Sequence, residues 1–254
     1  MVAVAISGPL AGHTEPSVTE AGWVEIATEA GPMRAYVATA AAHPKRAVVV
    51  LQEAFGVNSH IQSVTNRLAA QGFLAIAPDL FHRSAVDGEP LVVDYGDRDT
   101  AMRLIDGLGV TEVSDDLRAV VRHVREQSGD GVPISVVGFC FGARAAFTAG
   151  TEVAGLDSVA VFYGPGVAAG KHAVLERVAG ITARMLLVFG ADDPTIPAEQ
   201  VTATTRALDA ADVAYSALVY PDAGHAFCCD ARPQVFHANQ AFDAWVRLLD
   251  FLAV

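Results

Sequence analysis

Six short apolar runs, each closed off by Gly, Pro, Asp or Asn, constrain this chain more than any other feature. They fall at 47–51, 73–77, 134–137, 159–162, 185–189 and 216–220. Runs this short and this continuously apolar are what strands covered on both faces look like. Between them lie helical patterns: "IQSVTNRLAAQG" ending at Gly72, "DTAMRLIDGLG", "EVSDDLRAVVRHVREQSG", "AEQVTATTRALDAA" and "FDAWVRLLDFLA". In the third of these, Leu117, Val120, Val121 and Val124 share one face at helical spacing. Strand and helix alternate throughout, which predicts an α/β fold: a mostly parallel central sheet with helices on both faces. Ahead of this pattern, "GWVEIAT" and "MRAYVAT" alternate around Gly31-Pro32 like an antiparallel hairpin. Residues 1–20 lack sustained periodicity and are expected to form a loosely attached arm. No repeat, low-complexity tract or linker divides the remainder, so 21–254 is expected to be a single domain.

Composition narrows the class of partner. The formal charge of -12, with 17 basic residues scattered along 254, provides no electrostatic attraction to phosphate. Nucleic acid and anionic membrane are therefore not expected partners. The opening "MVAVAISGPLAGHTEPS" has no basic n-region, and Gly8 and Pro9 break its apolar run, so neither a signal peptide nor a membrane span is expected. The expected compartment is the cytoplasm. Three cysteines, two of them adjacent at 228 and 229, match neither a disulfide framework nor a spaced zinc set. No metal is expected, and Cys140 is left as either a packed side chain or a reactive one.

"VVGFCFGAR", 136–144, decides between these options. The run ending at Val137 meets an apparent helix at Phe141, and Cys140 lies in the turn between them, flanked by Gly138 and Gly142. This is the spacing of a nucleophile elbow, where a sharp strand-to-helix turn forces the central residue into strained dihedrals and flanking glycines remove clashing side chains. With 3 cysteines and 22 glycines in 254 residues, Gly-x-Cys-x-Gly is expected by chance only about 0.02 times. A thiol there also faces unpaired helical N–H groups and the positive end of a helix dipole, both of which favour thiolate. The competing interpretation is a small hydrophobe behind a tight turn.

A nucleophile in this setting needs a base, and the base an acid to orient it, in the chain order nucleophile, Asp or Glu, His. "LLVFGADDPTIP" places Asp192 and Asp193 directly after a strand, and "LVYPDAGHAF" places His225 after the next one. Asp193 is favoured, with Asp192 expected to bond loop backbone. Gly224 is expected to let the chain turn at the histidine.

Four segments together resemble the dienelactone hydrolase family of α/β-hydrolases: "LQEAFGVN" (51–58), "APDLFHR" (77–83), "GFCFGAR" (138–144) and "AGHAFCCD" (223–230). The resemblance runs from about the hairpin to the C-terminus. It implies an α/β-hydrolase fold, a Cys140–Asp193–His225 triad, and cofactor-independent hydrolysis of a cyclic enol ester, the dienelactone of catechol and chlorocatechol breakdown, to maleylacetate. It makes Glu53 the carboxylate that bonds the resting thiol, where the loop alone allows a solvated residue equally well. It makes the amides of Ala54 and Phe141 the oxyanion hole. It makes Arg83 the anchor of a substrate carboxylate, against a surface salt bridge as the alternative. Tyr163 is expected either to line the pocket or simply to pack.

The pattern breaks at one place. Dienelactone-specific members carry a second arginine four positions after the histidine, where this chain has Cys229, with Arg232 three residues further on. Cys228 and Cys229 are expected to be packed thiols, with a redox pair as the alternative. A broader carboxylesterase or thioesterase, and a non-catalytic thiol sensor, therefore stand as rival functions for a protein whose expected partner is a small, anionic ester or lactone.

Overall fold

The structure is a computed structural model and describes residues 20–40 and 44–254. The arm expected at 1–20 lies outside the described residues except for Glu20, which opens the first strand. In chain order the elements are β1 (Glu20–Thr28), β2 (Gly31–Thr39), β3 (Ala47–Leu51), α1 (Ser59–Ala70), β4 (Leu74–Pro78), α2 (Arg98–Asp106), α3 (Val110–Ser128) and β5 (Ile134–Phe139). There follow α4 (Phe141–Glu152), β6 (Ser158–Phe162), β7 (Arg184–Gly190), α5 (Ala198–Ala210), β8 (Tyr215–Tyr220) and α6 (Ala238–Ala253). The eight strands form one sheet in the order β1-β2-β4-β3-β5-β6-β7-β8. The hairpin β1–β2 pairs antiparallel and joins β4 antiparallel; from β4 to β8 every pairing is parallel.

The apolar runs become strands because both faces are covered. Every residue of β3, β5 and β6 is buried, whereas in the hairpin β2 buries Met33, Ala35 and Ala38 and β1 buries Ile26 alone. Helix α3 turns Leu117, Val120, Val121 and Val124 inward, and the Glu112 carboxylate accepts from the Gly109 N–H at 3.0 Å to close its first turn. Helix α1 starts where the Asn58 side chain accepts from the Ile61 N–H. It buries Ile61, Val64, Thr65, Leu68 and Ala69 on one face. Helix α4 is different, being buried all round from Phe141 to Gly150. Ala143, Ala145, Ala146 and Ala149 keep it thin enough to lie close against the centre of the sheet.

The run at 216–220 departs from expectation. It is a strand, but β8 pairs only with β7 and lies at the sheet edge, with Ala217 exposed and Val219 52% exposed. Because the strands from β4 onward are parallel, the loops after β3, β5, β7 and β8 all leave from the same edge of the sheet. Those loops carry Glu53, Cys140, Asp193 and His225 respectively. No helix among the described residues is long and apolar enough to cross a membrane.

Candidate active site

Cys140 is the hinge between β5 and α4 and has φ +55° and ψ -117°. A non-glycine residue in that region stores roughly 1–3 kcal/mol and persists only where its surroundings over-determine it. Here the Cys140 N–H donates to the Phe162 carbonyl at 3.0 Å, while its own carbonyl accepts from Ala143 N–H at 3.0 Å. The glycines serve close approach rather than unusual dihedrals. A β-carbon on Gly138 would strike the backbone of Gly142, and one on Gly142 would strike the carbonyls of Leu51 and Gln52. Phe141, as the first residue of α4, has an amide with no helical carbonyl to receive it. Its buried ring stacks on Phe81 at 5.9 Å. Ala54, also buried, occupies the turn after β3.

The structure brings Cys140, His225 and Asp193 together. His225 Nε2 is 3.1 Å from Cys140 Sγ, and His225 Nδ1 is 2.8 Å from Asp193 Oδ2. Asp193 is buried and Asp192 exposed, so the aspartate is the second of the pair. Asp192 meets the loop backbone through its own N–H, which donates to the Ala223 carbonyl at 3.0 Å. Burial alone would disfavour the His225 imidazolium, but the Asp193 hydrogen bond, followed by the hydrogen bond and charge of Cys140, raises its pKa to about 10. Asp193 is held below the usual carboxylate range. Burial opposes its ionisation and is outweighed by His225 and by Thr195.

Thr195 was not visible as a site residue from sequence. Its N–H and Oγ1 both donate to Asp193 Oδ1, at 2.8 and 2.6 Å, and the hydroxyl lies 3.1 Å from His225 Nδ1. Gly224 does not adopt positive φ; Asp222 (φ +56°) and Ala226 (φ +63°) take the left-handed positions on either side. Arg144, one turn along α4 from Cys140, is buried and donates to the Leu108 carbonyl at 3.3 Å, and Phe141 lies beneath its guanidinium.

On the other side of the sulfur, Glu53 is fully buried and its hydrogen bonds go to Arg232, at 3.2 and 3.3 Å, rather than to Cys140. Arg232 reaches back across the three-residue offset. Its Nε donates to Cys229 Sγ at 3.4 Å, and the guanidinium lies over the rings of Phe55 and Tyr95. A guanidinium thus occupies the region from which an arginine at position 229 is missing. Arg83, in contrast, is engaged with the buried Asp116 of α3 and with His82. Tyr163 (φ +42°) is wholly buried and presents its ring to His225 edge-on at 5.5 Å, which makes it a support for the imidazole. The three cysteines are free thiols. Burial, then the Glu53 charge, raises the pKa of both Cys228 and Cys229.

A parallel sheet in this order, with a strained residue between β5 and α4 and acid and histidine on the loops after β7 and β8, defines an α/β-hydrolase fold. The chain belongs to the dienelactone hydrolase family, whose model matches residues 33–254. By that membership it is a carboxylic ester hydrolase. It is 34% identical over 253 residues to a Salmonella typhimurium protein named "Putative carboxymethylenebutenolidase", covering 95% of this chain and 90% of that one. It is 29% identical over 219 residues to the "Carboxymethylenebutenolidase" of Pseudomonas putida, covering 86% and 90%. A crystal structure described as "Putative Dienelactone Hydrolase" from Klebsiella pneumoniae superposes with a TM-score of 0.83 at 32% identity, covering 92% of this chain and 98% of the other.

Proposed function

We propose that the protein hydrolyses small esters or lactones bearing a carboxylate through Cys140 as nucleophile. The observation that carries this reading is the sulfur on a strained turn 3.1 Å from an imidazole that Asp193 orients. With its pKa raised, His225 keeps its proton at neutral pH and stands as an imidazolium 3.1 Å from the Cys140 sulfur. The sulfur attacks the ester carbon. The resulting oxyanion is received by the amides of Ala54 and Phe141, each donor of this kind being worth about 3 kcal/mol of barrier. His225 gives its proton to the departing oxygen as the carbonyl re-forms in a thioester. It then takes a proton from water, whose oxygen attacks the thioester, releasing the acid and restoring the Cys140 thiolate beside the protonated His225. Tyr163 and Thr195 hold the ring and its aspartate in register.

Arg232, paired with the buried Glu53, is the best-placed cation for a substrate carboxylate. Under this reading the anionic substrate is a dienelactone, opened to maleylacetate in the cytoplasmic breakdown of catechols, and residues 21–254 work as one domain without a cofactor. A second reading, a broader carboxylesterase, draws on Arg83 being committed to Asp116, which leaves Arg232 where dienelactone-specific members of the family carry two arginines. The test is a panel of cis- and trans-dienelactone against neutral p-nitrophenyl acetate. Cys140→Ala is expected to lower kcat/KM at least about a thousandfold on every substrate. Equal rates for wild type and Cys140→Ala would remove the nucleophile, and a preference for the neutral ester would favour the broader enzyme.

A further inference from the structure

The side chains of Glu53, His60 and Cys229 come from three distant stretches of sequence, yet their ligand atoms all lie within 4.8 Å of one another, and all three residues are buried. By plane geometry, one point lies no more than about 2.8 Å from each atom, so shifts of at most about 0.5–0.8 Å bring all three to zinc bond lengths of about 2.0–2.3 Å. An independent observation points the same way. His60 Nδ1 is bonded to Asp230 at 2.8 Å, which fixes the ring, while its Nε2 is buried with no hydrogen-bond partner among the described residues. The His60 side chain is only 2% exposed. A carboxylate behind one imidazole nitrogen and a free second nitrogen is the arrangement that presents histidine to a metal.

We propose that Glu53, His60 and Cys229 form a binding site for a thiophilic divalent cation of the zinc class. Carboxylate, imidazole and thiolate supply three donors, leaving a fourth position for water. Coordination expels the Cys229 thiol proton to solvent. Arg232 is the competitor: its guanidinium holds both Glu53 oxygens and the Cys229 sulfur, and it has to withdraw for the cation to enter. At 15% side-chain exposure, it has a route outward. Occupancy would therefore take Glu53 away from Arg232 and disturb the proposed substrate anchor, and only this last consequence rests on the proposed function.

The test is equilibrium dialysis against Zn2+ in a Cys140→Ala background, so that the Cys140–His225 pair contributes no ligand. Co2+ is then substituted to look for thiolate-to-cobalt absorption. One zinc per chain is expected. Cys229→Ser and His60→Gln should each weaken binding at least tenfold and abolish the cobalt band, and Asp230→Asn should weaken binding about tenfold. Arg232→Gln should tighten it, a gain that misfolding does not produce. Absence of zinc from the Cys140→Ala and Arg232→Gln proteins, or affinity unchanged by both Cys229→Ser and His60→Gln, would overturn the site. Because no substrate is present, failure here leaves the proposed hydrolysis untouched, and the reverse also holds.

Discussion

Cys140 and the Cys228–Cys229 pair place the same functional group in two neighbouring but opposite environments. Cys140 stands on a strained hinge beside an imidazole whose pKa is raised, facing the end of a helix. Cys228 and Cys229 lie beside the buried Glu53, and burial together with its charge keeps both thiols protonated. The difference teaches that reactivity here is assigned by what faces the sulfur. Under the proposed mechanism, the sulfur that faces a cation and unpaired amides is the one that reacts, while a carboxylate in low dielectric holds the other two as thiols.

The largest expected break in this contrast comes from the acid behind the imidazole. Asp193→Asn should reduce kcat/KM on dienelactone by about 10³–10⁴, as loss of the orienting charge does in related triads. Steady-state kinetics will measure it, and a loss below tenfold would mean that Thr195 alone orients His225. Labelling sharpens the same contrast. Iodoacetamide at near-neutral pH should modify Cys140 at least about a hundredfold faster than Cys228 or Cys229, read by mass spectrometry of the peptides. Arg232→Gln should lower the ratio of kcat/KM for anionic lactone to that for neutral ester about 10- to 100-fold, the equivalent of one charge-assisted contact. Because it is a ratio, it is insensitive to partial unfolding.

The smallest effect is on stability. The His225 pKa, near 6.5 in an unfolded chain, is raised to about 10 in the folded protein. A raised folded value means the native state holds the proton more tightly. The contribution is therefore complete below about pH 6.5 and is lost as pH climbs through about 10. Thermal melts from pH 6 to 10 should show wild type losing more stability than His225→Gln across that window; parallel curves would contradict the assignment.

Much of this was legible from the chain. The elbow could be read because a turn that tight needs small residues at fixed offsets, which leaves the local signature Gly138-x-Cys140-x-Gly142. The order of acid and histidine followed from the loops after successive strands. What escaped were features created by packing across the sheet edge. Nothing local distinguishes Thr195 from any loop threonine, and its place between Asp193 and His225 exists only once two loops meet. Arg232 finding Glu53, and Asp230 finding His60, are encounters between residues more than 150 positions apart. The exposure of β8 was equally hidden, because a strand's composition does not record whether a neighbour pairs with its far side. At the histidine turn, Ala226 rather than Gly224 bears a left-handed backbone, which composition does not announce.

The contact of Gly142 with the carbonyls of Leu51 and Gln52 has a mechanical consequence. It seats the start of α4 directly on the strand that leads into Glu53 and Ala54, so the amides of Phe141 and Ala54 ride on one rigid backbone joint. Their separation is gauged by main chain touching main chain, independent of any side chain lining the cleft. If those amides receive the oxyanion as proposed, substrate preference is free to drift through the cleft walls while the cradle keeps its span.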